Sequence, residues 1–192
     1  MTHSTGNPPR GPVPENGSPV DAWTAPAAGG LGFGLRMRTA AAPDQPVIRG
    51  LIRRVRINPM GLDWHRFVVI EDQGGGIVAC GQVKPHGDGA RELASLAVTK
   101  SWRGRGLARA IIEHLKRRAG PPLWLTCREG LVPMYVRFGF VRVTAREEMT
   151  PYFRRLDRLA RQILRLLRPG EGLAIMAWQE SCTSEEAARA GG

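Results

Sequence analysis

An apolar run, Leu93-Ala94-Ser95-Leu96-Ala97-Val98, gives way after a short polar break to Arg103-Gly104-Arg105-Gly106, and then Leu107, Ile111, Ile112 and Leu115 recur at helical spacing. This order predicts a buried strand, a tight glycine joint and an amphipathic helix running to Ala119. Small residues at such a joint let the backbone approach a ligand. The free amides of the first helical turn, aided by the helix dipole, suit an anionic group such as a pyrophosphate. Arg103 and Arg105 bring positive charge to the same place. The other reading is a plain packing joint. The pattern is neither the G-x-G-x-x-G dinucleotide fingerprint nor the G-x-x-x-x-G-K-[ST] phosphate loop.

The flanking sequence supplies a sheet for that joint. Leu35 to Thr39 reads as a first strand, and Pro43-Asp44 opens a helix whose Val47, Ile48, Leu51, Ile52 and Val55 fall on one side. Phe67 to Ile70 and Ile77 to Val83 are apolar runs separated by Asp72-Gln73-Gly74-Gly75-Gly76, turn chemistry that predicts an antiparallel hairpin. A second turn, Pro85-His86-Gly87-Asp88-Gly89, leads into the Leu93 strand. After the central helix, Gly120-Pro121-Pro122 ends it and Leu123 to Thr126 follows. That strand should lie parallel to Leu93–Val98, because a whole helix intervenes. Pro133 to Phe138 predicts a short helix, Phe140 to Val143 an extended run and Leu173 to Trp178 a last strand. The expected fold is a mixed α/β one, with a mostly antiparallel central sheet and flanking helices.

The succession of a strand, R-x-x-G-x-A opening a helix, a second strand and then Y-x-x-x-G-F resembles the GNAT superfamily of acyl-CoA-dependent N-acetyltransferases. Here the pieces are Leu93 to Val98, Arg103/Gly106/Ala108, Leu123 to Thr126, and Tyr135-Val136-Arg137-Phe138-Gly139-Phe140. The likeness runs from about Leu35 to Gln179 and implies an enzyme that passes acetyl from acetyl-CoA, its cosubstrate, directly to a primary amine. It implies that the turn Arg103, Gly104, Arg105, Gly106, Leu107 and Ala108 holds the pyrophosphate. Pantetheine would pair along Leu96, Ala97 and Val98, and a β-bulge near that edge would turn an amide toward the thioester oxygen. Tyr135 would donate a proton to the departing sulfur, and Glu92, entering the central strand, would be the general base. Where the family often carries an asparagine upstream of the tyrosine, this chain has Arg128, which can meet CoA or an acidic acceptor.

Each of these residues also has a structural reading. Tyr135 can simply pack at a helix end and Glu92 can be a solvated strand residue. Glu129 is a weaker alternative base. Trp64 and His65 sit where an amine pocket is often built from loops, or else pack there. His86 and His114 receive no role from the sequence. Cys80, Cys127 and Cys182 are odd in number and lack metal-ligand spacing, so neither a structural disulfide nor a metal site is expected. Cys127 is read as a buried, inert thiol.

The chain of 192 residues has room for one domain with a proper core. Residues 34–180 are expected to form it, with a disordered extension over 1–33, rich in Pro, Gly and Ser, and a flexible tail over 181–192. The net charge of +11 is carried almost wholly by arginine and favours anionic partners. Pro151 to Arg168 concentrates it in an amphipathic pattern, with Phe153, Leu156, Leu159, Ala160, Ile163, Leu166 and Leu167 opposed to arginines. That segment can be a solvated face, a homodimer contact, or a surface for nucleic acid or an anionic membrane. The rival function is therefore a non-catalytic acyl-CoA-binding regulatory module acting through this helix. No apolar run approaches the roughly 20 residues of a membrane span, and a cytoplasmic protein is expected. The amine acceptor, whether a small molecule or a protein or peptide amine, is not encoded in any transferable motif.

Overall fold

The computed structural model describes residues 34–167 and 172–179, and for 161–167 the backbone alone. The expectations for 1–33, 181–192 and Arg168 lie outside the described residues, as do the side chains of Ile163, Leu166 and Leu167.

A seven-stranded sheet forms the centre of the molecule, in the order β1-β2-β3-β4-β5-β7-β6. Strands β1 (Arg36–Thr39), β2 (Phe67–Glu71), β3 (Ile77–Pro85) and β4 (Arg91–Val98) make an antiparallel meander. Beyond it, β5 (Leu123–Arg128) is parallel to β4, β7 (Leu173–Trp178) pairs antiparallel with β5, and β6 (Val141–Arg142) closes the far edge on β7. Helices α1 (Gln45–Arg54), α2 (Leu107–Ala119), α3 (Val132–Val136) and α4 (Pro151–Leu167) connect and cover the strands.

The turn chemistry behaves as its residues dictate. Asp72 Oδ1 accepts hydrogen bonds from the amides of Gly74 at 3.0 Å and Gly76 at 2.9 Å, closing the β2–β3 hairpin. At the start of α1, the Asp44 carboxylate accepts from the Ala41 amide at 2.7 Å and from Arg38 Nη1 at 2.6 Å, while Arg38 Nε donates to Glu71 at 2.7 Å. This knot fastens α1 to β1 and β2.

Period-two alternation divides the core between the two faces of the sheet. In β2, Val68 and Ile70 pack with Leu107, Ile111 and Leu115 of α2, whereas Phe67 and Val69 pack with Ile48, Leu51 and Ile52 of α1. In β5, Leu123, Leu125 and Cys127 join the α2 side with Tyr135 and Phe140. Trp124 points the other way and stacks on Phe153 of α4, centroids 5.0 Å apart. One face thus carries α2 and α3. The opposite face carries α1 near one edge and α4 near the other, with a polar strip between them.

Two details of α4 depart from the simple amphipathic reading. Leu159 is exposed, and Asp157, one turn beyond buried Phe153, is buried with its Oδ2 3.4 Å from Arg146 Nε. A helix seated across a twisted sheet buries a stripe set by that contact, and a charge on the stripe is tolerated where a cation meets it.

Candidate active site

The parallel ladder between β4 and β5 is confined, among the described residues, to Glu92 opposite Trp124. The base of this junction is tied by Arg91, whose guanidinium donates to the carbonyls of Ala119 and Pro121, the latter at 2.9 Å, and so joins the start of β4 to the loop before β5. Past Glu92 the two strands part. Leu93–Val98 therefore keeps its β3 ladder while its β5 side is left without strand pairing, a backbone edge inside a sheet that an extended ligand can complete.

The register of β3 against β4 slips between Cys80 and Gln82, so that Gly81 faces both Ser95 and Leu96. Ser95 sits at φ 56°, in the left-handed region, and its hydroxyl accepts from Gln82 Nε2 at 2.9 Å. This is a β-bulge, which leaves a backbone group outside the ladder and re-aims it. Leu96 and Val98 lean on the α2 side and Ala97 is buried on the α1 side. The sequence gives no sign that Ser95 is the bulged residue, since serine has no special taste for positive φ; only the cross-strand register reveals it.

Beyond β4, Gly104 and Gly106 adopt φ of 75° and 81°, and Gly106 is the N-cap of α2. A Cβ at either would meet nothing within 4 Å, so it is the left-handed backbone and not crowding that favours glycine. Ala110 N bonds Gly106 O at 3.0 Å, which leaves the amides of the first turn free of intrahelical partners. No acidic residue occupies that turn. Leu107 anchors it in the core and Ala108 is partly exposed. Arg103 Nε donates to Val98 O at 3.3 Å, and the Arg105 guanidinium lies 4.8 Å from the Trp102 ring centroid. The joint meets the requirements of a pyrophosphate cradle: free amides, left-handed glycines and arginines, with no competing carboxylate in the helix's first turn.

Tyr135 is buried on the α2 side, edge-on to Phe140 with centroids 6.0 Å apart. Burial, with a smaller contribution from Cys127, pushes its phenol above the ordinary tyrosine range. Burial likewise raises the Cys127 thiol to about 11, so it is held as an uncharged thiol. Arg128 is exposed at the end of β5 and the structure gives it no contact with the other residues of this group.

Glu92 lies on the opposite face, buried, with both carboxylate oxygens engaged. Thr126 Oγ1 donates to Oε1 at 3.1 Å, and His86 Nε2 is 3.0 Å from Oε2. His86, to which the sequence assigned nothing, stacks on Tyr152 with centroids 3.5 Å apart. Next to this group on β3 are Gln82, fully buried, and Lys84, whose Nζ donates to Met60 O at 2.8 Å. Burial pushes the Lys84 ammonium below its ordinary range, against the attraction of Glu92. Glu129 instead pairs with Arg142, away from this strip, and His65 lies on Trp64 and bonds Asp63 at 2.7 Å.

A family model for the acetyltransferase (GNAT) domain matches residues 63–142, from the residue before Trp64 through the end of β6. That span holds the parted strands, the glycine joint and the tyrosine together. Over these residues the chain is similar to the acetyltransferase (GNAT) domain. Solved structures agree on the fold. N-acetylglutamate synthase from Neisseria gonorrhoeae, complexed with coenzyme A and L-arginine, has a TM-score of 0.60 at 18% identity over 76% of this chain. This chain spans only 33% of that protein. Rv2747 from Mycobacterium tuberculosis, in complex with CoA, has a TM-score of 0.56 at 21% identity, covering 74% of this chain and 98% of its own. The ribosomal-protein-S18-alanine N-acetyltransferase from Escherichia coli has 0.52 at 21%, covering 79% and 97%. At these identities the likeness is one of fold. Comparison with curated proteins returns no match. None of these findings supports the non-catalytic, helix-directed alternative.

Proposed function

We propose that this protein is a GNAT N-acetyltransferase that moves acetyl from acetyl-CoA directly to a primary amine. The observation that carries the reading is the parting of β4 from β5 beyond Glu92, with the glycine joint of α2 at one end of the opened edge and a buried carboxylate at the other. In this reading the amides of Gly104 to Ala108, with Arg103 and Arg105, hold the pyrophosphate, and the edge Leu96 to Val98 pairs with pantetheine.

Glu92 takes a proton from the incoming ammonium, leaving an amine that attacks the thioester carbon. The amide freed at the Ser95 bulge stabilises the oxygen as it gains negative charge. As the carbon–sulfur bond breaks, Tyr135, kept protonated by burial, gives its proton to the sulfur. The nitrogen loses its second proton to solvent as the amide forms; Tyr135 regains a proton from solvent and Glu92 gives its own up, so the sum is one amide, one thiol and one proton released.

Incubating the protein with acetyl-CoA and a panel of primary amines (amino acids, polyamines, peptides with free N-termini) tests this. Thiol release matched by acetylated product supports it. Tight CoA binding without product from any amine contradicts it.

A further inference from the structure

We propose that His86 is the positioning residue of the Glu92 base, fixing its carboxylate through an Nε2–H···Oε2 hydrogen bond. The proposal rests on the reading of Glu92 as the base. An ionised carboxylate has only acceptors, so the ring nitrogen 3.0 Å from Oε2 must carry the proton. Thr126 holds the other oxygen from β5. With one oxygen bound from each side, the carboxylate plane is fixed at the point where β4 and β5 begin to part, while each oxygen keeps a further lone pair for the substrate's proton.

What sets His86 apart from a polar neighbour is how firmly it is itself held. Its backbone amide donates to Ala90 O at 2.8 Å and its carbonyl accepts from Gly89 at 3.0 Å, which closes the β3–β4 turn. The imidazole is stacked on Tyr152 at 3.5 Å and is edge-on to Phe153 at 5.9 Å. Tyr152 is in turn pinned, because Asp88 Oδ2 from the same turn accepts its amide at 2.7 Å. The first turn of α4 thus clamps the ring, and the ring aims the base: the arrangement of a general base oriented by a third group. The charged and titratable groups about the pair are Lys84 of β3, Asp88 of the turn and Tyr152 of α4; the last has its phenol raised by burial and by the carboxylates of Glu92 and Asp88.

The test compares His86→Ala, His86→Gln and Glu92→Gln in the acetyl-transfer assay, with kcat, the KM for acetyl-CoA and melting temperature measured for each. A glutamine amide can place an N–H where Nε2 stands but cannot reproduce the stacked ring. His86→Ala should lower kcat about tenfold to a hundredfold, the cost of a misaligned reacting group, with the acetyl-CoA KM within about twofold. His86→Gln should recover most of the loss. Wild-type kcat in His86→Ala overturns the proposal, as does an equal loss in both variants that follows the fall in melting temperature. If His86→Ala does not fold, a folded His86→Gln as slow as Glu92→Gln overturns it. Wild-type turnover in Glu92→Gln removes the base itself and with it this role, a pattern distinct from the failure of His86 alone.

Discussion

Glu92 stands opposite Trp124 as the last paired position before β4 and β5 part, and the two side chains settle different problems there. Trp124 is buried against Phe153 and fixes β5 to α4, while Glu92 is held by His86 and Thr126 on the same face. The place where the sheet opens is thereby also the place where a carboxylate is fixed.

The bulge on β4 lies opposite Gly81, which is packed against α2. A Cβ on Gly81 would come within 2.6 Å of Ile111 Cγ2, on a β-branched side chain with little freedom to turn away. Gly81→Ala should cost about 1–3 kcal/mol of stability through overpacking. Urea unfolding of the variant checks this, and an unchanged midpoint would speak against the seating of α2 described above.

Gly106 tests the cradle. At φ 81° an alanine is strained by roughly 1–2 kcal/mol, and relieving that strain turns the first-turn amides away from a bound phosphate. Gly106→Ala should weaken CoA binding about tenfold, equivalent to 1.4 kcal/mol, as read by calorimetric titration. Undiminished affinity would place the pyrophosphate elsewhere.

The Arg38–Asp44–Glu71 knot predicts an acid response. The Arg38 guanidinium, more than any other group, holds the Asp44 carboxyl below its ordinary value. A lowered folded value means stabilisation that is fully present above the unfolded value near about 4 and lost as pH falls through the folded one. Asp44→Ala should cost about 1–3 kcal/mol at neutral pH, since it strips a partner from a half-buried cation and a cap from the Ala41 amide. Its stability should then fall less steeply than the wild type's below pH about 4. Parallel acid-unfolding curves would contradict the assignment.

Much of the fold is legible from local pattern. The apolar run Phe67 to Ile70, the Asp72–Gly76 turn and the strand–glycine–helix order at Leu93 to Ala119 are each fixed by neighbours in the chain, and each stands in the structure. Tyr135 and the glycine joint stand out as members of spaced motifs, and Glu92 only through the family resemblance that those motifs carry. Ser95 and His86 do not. One is defined by its register against Gly81 and the other by contacts with Glu92 and α4, relations between strands and helices that no single window of sequence contains. Leu159 leaves the apolar stripe on which its spacing placed it because the sheet, and not the helix's own period, decides which stripe of α4 is covered.

Tyr135 carries a prediction with a definite sign. Burial raises its phenol above the usual value near about 10, so the acid stays protonated as pH rises. An alkaline fall in kcat below pH about 10 that is present in the wild type and absent in Tyr135→Phe would contradict this upward shift, while a Tyr135→Phe enzyme as fast as the wild type would contradict the role. The same shift makes the folded state lose stability only once pH rises past the unfolded phenol's value.

The most direct test is the rate of acetylated-amine formation at saturating acetyl-CoA, measured for the wild type, Glu92→Gln and Tyr135→Phe together with their CoA affinities. Loss of a positioned acid or base should lower kcat by about 10²–10⁴ in each variant while CoA affinity stays near that of the wild type. Full turnover in both variants, or CoA binding lost in step with turnover, would contradict the assignment of the base and the acid.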